Sequence, residues 1–255
     1  MKIKSIILFL VLMLVFIGQA DCDDSGQARL LFFKGNAYYN DGSFLEAVGQ
    51  YEQVLKLGLE SGPLYYNLAN AYFKSGSLGK AMLNYLRAKR LSPKDADLIS
   101  NLAYAQSLVK GGVVARERIW IGRMFYRLVD SFSLNKITLI SMILYFILSI
   151  LIIAFVLMRN CKKALSHASL AALALFIISA SLFYTQYSRI VVQREAVVVS
   201  EKSDSRFEPF IDATTFFTLY EGEKVNMVTS EKGWIKIRRL DGKQGWIKES
   251  DIEFI

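Results

Sequence analysis

The side chains whose types and spacing suit chemistry in this chain are amides and aromatic rings, and the chemistry they suit is recognition. Asn36 and Asn70 stand 34 residues apart, and the same interval relates Phe32 to Tyr66 and Tyr39 to Phe73. An amide offers both a donor and an acceptor, so it can pair with an extended peptide backbone while neighbouring rings cover the peptide's side chains. Groups that break bonds are scarce: one histidine, His167, and two cysteines, Cys22 and Cys161. A structural zinc site takes about four ligands, and the sequence contains no phosphate loop, G-x-S-x-G elbow, H-E-x-x-H motif or G-x-G-x-x-G turn. The expectation is a protein that is not an enzyme, with no catalytic residue, metal or cofactor.

Periodicity indicates the elements that must hold these residues. Superposing Ala47 on Ala81 brings Tyr38 onto Tyr72, Gly42 onto Gly76 and Tyr51 onto Tyr85, a repeat of 34 residues. The spacing predicts two antiparallel helix pairs, 28–40 with 44–57 and 62–75 with 78–91. Gly35, Ala47, Ala69 and Ala81 are small enough for close helix crossing, and Pro93 stops the last helix. The series Gly35, Tyr38, Ala47, Tyr51, Val54, then Leu68, Ala69, Tyr72, Ala81, Tyr85, Ala88, Pro93, resembles the tetratricopeptide repeat over residues 26–110. That resemblance implies an all-α helical array of two repeats closed by a cap helix at 95–110. It also implies a concave groove lined by the first helix of each repeat. Helical phase then puts Phe32, Asn36, Tyr39 and Asn40, Tyr66, Asn70, Phe73 and Lys74, and Tyr104 of the cap, on the partner-binding face. The alternative is that these rings pack on a neighbouring helix. Phe32 stands where carboxylate-clamp members of the family resemble lysine, which argues against capture of a C-terminal carboxylate.

A chain that is 53% apolar with mean hydropathy +0.29 keeps part of itself in lipid. Ile137–Met158 and Ala164–Tyr187 are uncharged runs of 22 and 24 residues, and about 20 suffice to cross a bilayer. They predict a transmembrane hairpin whose basic loop, 159–163, faces the cytoplasm. Met1–Ala20 reads as a secretory signal peptide or an N-terminal anchor, with Lys2 and Lys4 before the apolar stretch Ile6–Ile17 and a small-x-small site at Gly18-Gln19-Ala20. Both soluble segments are then expected on the periplasmic side of a bacterial inner membrane. Between them, 111–136 alternates Arg116, Arg118, Arg123 and Arg127 with Trp120, Ile121, Met124, Phe125, Leu128 and Val129. This suits either an amphipathic helix on membrane lipid or a solvated helix on the preceding domain. The net charge of +8 gathers beside the apolar runs, since 21–112 carries +1 and 190–255 carries −2. Neither soluble segment has the basic footprint that nucleic acid requires.

From Glu195 the periodicity changes to short alternating runs at 196–199, 216–219, 224–228, 234–238 and 245–248, separated by turns such as Glu221-Gly222 and Asp241-Gly242. Gly233-Trp234 and Gly245-Trp246, with Leu219-Tyr220-Glu221-Gly222-Glu223-Lys224-Val225 before them, resemble the bacterial SH3 module over 195–255. That implies an all-β SH3-like barrel. Phe210, Tyr220, Trp234 and Trp246 are its ligand-face candidates, Phe210 and Tyr220 the better ones, since the two tryptophans are better suited to plugging the barrel. The fold class expected is thus a multidomain membrane protein: helical repeats, a two-helix membrane hairpin, a small barrel. This order resembles BatE-type proteins of the bacterial aerotolerance (Bat) operons. The resemblance implies a scaffold in a membrane assembly with von Willebrand factor A domain Bat proteins, linked to a MoxR-type ATPase. The other reading is a cell-envelope tether or sensor whose barrel binds peptidoglycan.

Overall fold

Both helix pairs reverse at glycine, with φ of +78° at Gly42 and +87° at Gly76, a region that side chains with a Cβ avoid. The computed structural model describes residues 22–111, 124–125, 128–129, 131–158, 161–188 and 194–255. The expected signal segment at 1–20, most of the amphipathic stretch at 111–136, and Arg159 and Asn160 of the basic loop lie outside the described residues. The chain divides into two compact units, Met1–Glu60 and Ser61–Ile255.

In the first unit, α1 (Cys22–Asn40) packs antiparallel on α2 (Phe44–Lys56). Helix α1 begins six residues before the expected start at 28. Ala47, Tyr51 and Val54 are buried along one stripe of α2, and Tyr51 lies so close over Gly35 that a Cβ there would sit 2.5 Å from its ring.

The second unit opens with α3 (Gly62–Lys74). The Ser61 hydroxyl accepts from Leu64 N at 3.2 Å and Pro63 occupies the first turn, both ordinary helix-start chemistry. Helix α4 (Leu78–Leu91) packs on α3, and α5 (Ala96–Leu108), capped by Asp95 at 3.0 Å from Leu98 N, packs on α4. Leu64, Leu68, Leu83, Tyr85, Leu98 and Leu102 form the shared core. Next come α6 (Leu134–Leu157) and α7 (Lys162–Tyr187), two helices long and apolar enough to cross a membrane. They pack on each other with Ala172, Ser179 and Leu182 buried, and Ser141 donates to Ser179 across the pair at 3.2 Å. Most of their remaining apolar side chains are exposed, as a lipid-facing surface requires.

Seven strands follow: β1 (Glu195–Val198), β2 (Lys202–Arg206), β3 (Thr215–Tyr220), β4 (Lys224–Glu231), β5 (Trp234–Arg238), β6 (Gln244–Lys248) and β7 (Ile252–Phe254). They pair antiparallel in the order β3-β2-β6-β5-β4-β1-β7. Ala196, Val198, Leu219, Val225, Ile235, Ile237, Ile247 and Ile252 form one core. The closed barrel expected from the sequence is corrected here. The sheet is open, and its edge strands β3 and β7 do not pair. At the β7 edge, the carbonyls of Phe254 and Ile255 accept 2.6 Å hydrogen bonds from Arg87 and Arg90 of α4. Arginines take the place of a closing strand there.

Candidate functional site

Three helices bring one polar cluster together in the second unit. Tyr85, on α4, is 2% exposed, and a buried phenol needs a partner for its hydroxyl. It donates to Asn70 Oδ1 at 2.6 Å. Asn101, on α5, donates from its single Nδ2 to the same oxygen at 3.1 Å and to the Tyr66 hydroxyl at 2.9 Å. The oxygen of Asn70 is therefore committed to holding α3, α4 and α5 together. Its Nδ2 points elsewhere, and no acceptor meets it among the described residues. Around this amide, Tyr66 packs 6.2 Å from the Tyr85 ring, and Phe73 lies 5.8 Å from Tyr104 between ring centres. Tyr104 is 60% exposed and Lys74 is exposed. The arrangement offers one amide donor framed by accessible rings and a cation, which suits a peptide carbonyl and its flanking side chains.

The first unit repeats the core of this geometry. Tyr51, 1% exposed, donates to Asn36 Oδ1 at 2.8 Å. Phe32 packs 5.9 Å from Tyr51 and Tyr39 lies 5.3 Å from Phe44. Each asparagine thus makes a bond inside its own helix pair, and the rings are half-buried against the second helix rather than fully presented. Asn101 was not among the sequence candidates. Its signal was there in the register, since a 34-residue shift carries Asn67-Leu68-Ala69 onto Asn101-Leu102-Ala103.

The four candidates on the sheet differ in exposure, and Trp234 and Trp246 share one face of the β5–β6 ladder. Trp234 is 9% exposed, at the start of β5. Trp246 is half-buried with the Lys236 ammonium 5.9 Å above its ring. Tyr220 is half-buried at the end of β3, where a Cβ on Gly111 would lie 2.9 Å from its ring. Only Phe210 is well exposed, at 49%. It shares the β2–β3 connection with Ile211, and nearby the Phe207 ring lies tilted 4.4 Å from that of Phe216, all of them exposed. Alternation hides this patch from sequence reading because its members lie in a loop and at the strand ends beside it.

The shifted carboxyls lie on the sheet, and one of them, Glu195, faces α4. Burial acts to raise the Glu195 carboxyl, but Lys224 at 2.7 Å and Arg90 at 3.3 Å hold it below its ordinary range. Glu223 goes the other way. Its burial raises it further than the Tyr220 N–H at 3.0 Å and the Arg239 charge can lower it. At the β5–β6 turn, the hydrogen bond from Arg239 keeps Asp241 low. No group of three or more His, Cys, Asp or Glu side chains is placed to hold a metal among the described residues. His167 and Cys161 are both exposed.

Residues 62–95, which span α3, α4 and the turn into α5, match the sequence family described as tetratricopeptide repeat. No match to a curated protein was found. The matched repeat is a protein-interaction element, so its helices point to protein partners.

Proposed function

We propose that this protein is a non-enzymatic scaffold of a bacterial inner membrane that gathers protein partners on the exported side through its tetratricopeptide repeats and an SH3-like C-terminal module. The observation that supports this reading best is the Asn70 cluster. Within a matched repeat, one amide oxygen is spent on the fold while the amide nitrogen is left to a partner. Binding then proceeds as an extended peptide lays a backbone carbonyl on Asn70 Nδ2, with Tyr66, Phe73 and Tyr104 covering the adjacent side chains and Lys74 meeting an acidic group. The order of repeats, membrane hairpin and β module resembles BatE-type proteins. On that ground the partners are von Willebrand factor A domain Bat membrane proteins, with a MoxR-type ATPase reached through them across the membrane.

A photo-crosslinking residue placed at Tyr104 in the full chain, in native membranes, tests this. The expected outcome is adducts with von Willebrand factor A domain membrane proteins that disappear in Asn70→Asp, a change that keeps the acceptor and removes the donor. Adducts with lipid alone, or adducts indifferent to Asn70→Asp, would reject the site. The exposed Phe207, Phe210, Ile211 and Phe216 favour a second reading, in which the sheet grips the peptide stems of peptidoglycan. Retention of the full chain on isolated cell wall, lost on Phe210→Ser, would support it.

A further inference from the structure

Helix α4 is buried on almost every side, from Gly79 through Ala81–Tyr85 to Ala88. Ala81, Tyr85 and Ala88 account for the face toward its own repeat. The other face meets the sheet. At its first turn, Ser77 makes no side-chain cap, and the Gly79 N–H instead donates to Glu221 Oε1 of the β3–β4 turn at 2.7 Å. A Cβ on Gly79 would stand 2.6 Å from the Val198 carbonyl oxygen and 2.9 Å from Val199 Cα. Midway, a Cβ on Gly222 would lie 3.3 Å from Met82 Cγ and 2.8 Å from Val109. At the last turns, Arg87 and Arg90 reach the carbonyls of Phe254 and Ile255, and Arg90 pairs with Glu195. These contacts run along about 17 Å of helix, from Gly79 to Arg90 at 1.5 Å per residue. Just beyond, the Lys94 ammonium sits 4.7 Å over the ring of Phe132, whose carbonyl accepts from Gln186 of α7 at 2.9 Å.

We propose that α4, with the turn that follows it, is a strut that clamps the sheet to the matched repeat and, through Lys94 on Phe132, holds the start of the membrane hairpin, so that the described residues of Ser61–Ile255 move as one body. The sheet is then no module on a swinging tether. The repeat face carrying Asn70 and the sheet face carrying Phe207 and Phe216 are presented at a fixed angle, and a load on either reaches the hairpin through α4. Glycine at 79 has a physical role in this arrangement. Inside a helix it weakens the helix relative to alanine, and what it gives in return is room for the Val198 carbonyl.

That trade supplies a test in which the sign decides. In the full chain reconstituted in lipid nanodiscs, hydrogen exchange is followed peptide by peptide for wild type, Gly79→Ala and Arg90→Met. A strut requires that Gly79→Ala speeds exchange in Glu195–Val198 and in the turn 220–223 at least tenfold, with β5 and β6 still protected. If α4 stood free, the same alanine would strengthen the helix, and exchange there would slow or stay unchanged, which overturns the proposal. Arg90→Met is expected to speed exchange in Ile252–Phe254 tenfold, and no change there overturns it equally. Should Gly79→Ala unprotect β5 and β6 as well, the sheet has unfolded rather than undocked, and Arg90→Met alone decides. The readout involves no partner, so it stands or falls separately from the scaffold reading.

Discussion

Two replacements of Asn70 and one of Tyr85 separate what the two atoms of the Asn70 amide do. Asn70→Ala removes the acceptor of the Tyr85 hydroxyl, a group on a side chain only 2% exposed. Leaving a buried donor unsatisfied costs about 1–3 kcal/mol, and the lost bond from Asn101 adds about 0.5–1.5 kcal/mol, so the local loss should be roughly 1.5–4.5 kcal/mol. Asn70→Asp keeps an acceptor for both donors, and bonds to a charged acceptor are the stronger kind. Its cost should stay below about 1 kcal/mol. Tyr85→Phe removes the hydroxyl altogether, leaves no orphaned donor, and should cost about 1 kcal/mol. A chain with several folded parts does not unfold in one step, so a single melting curve cannot resolve these differences. Native-state exchange of the α3 and α4 amides can, because it reads local opening free energies. An Asn70→Ala cost under about 0.5 kcal/mol, or an aspartate as costly as the alanine, would refute the claim that this oxygen ties three helices together.

Other expectations follow from burial, orientation and titration. Ala81 is fully buried where α4 crosses its repeat, so Ala81→Leu should overpack the site and cost about 1–3 kcal/mol in the same exchange measurement. Cysteines introduced one at a time at Tyr104 and Phe210, in a Cys22→Ser, Cys161→Ser background, should react with a membrane-impermeant reagent from the exported side, whereas labelling only from the cytoplasmic side would reverse the topology. The pH dependence of the sheet's stability should have two opposed limbs. Glu223 is raised in the folded state, so its penalty is relieved as pH falls through that raised value; Glu195 is lowered, so its contribution is present above about pH 4.3 and is lost as pH falls further. Exchange-derived stability should therefore rise slightly and then drop on acidification, with Glu223→Gln flattening the first limb and Glu195→Gln the second.

What the sequence could reveal depended on whether an element buries apolar side chains at a regular interval. The helix pairs do, and the 34-residue register places Tyr51 and Tyr85, Ala47 and Ala81, and the turns at Gly42 and Gly76 in matching positions. Strand β2 does not. Its inward residues are Ser203 and Ser205, Ser203 bonding Asp251 at 2.7 Å, so Lys202–Arg206 reads as a polar loop although it lies between β3 and β6. Strand β7 is three residues long, too short for an alternation to register. The asparagines were legible as a repeated pair, but their spacing could not say which amide atom faces inward. Only the approach of Tyr85 to Asn70 and Tyr51 to Asn36 decides that. The docking of the sheet on α4 left its mark in the sequence as a glycine at 79 and arginines at 87 and 90. None of these departs from what an exposed helix face would carry. Apart from Leu78 and Met82 against Gly222, the interface is made of a missing Cβ, a carboxylate on a helix N–H and arginines on backbone carbonyls, so its apolar stripe is too short for hydrophobic periodicity, the signal that finds helices and strands, to mark it.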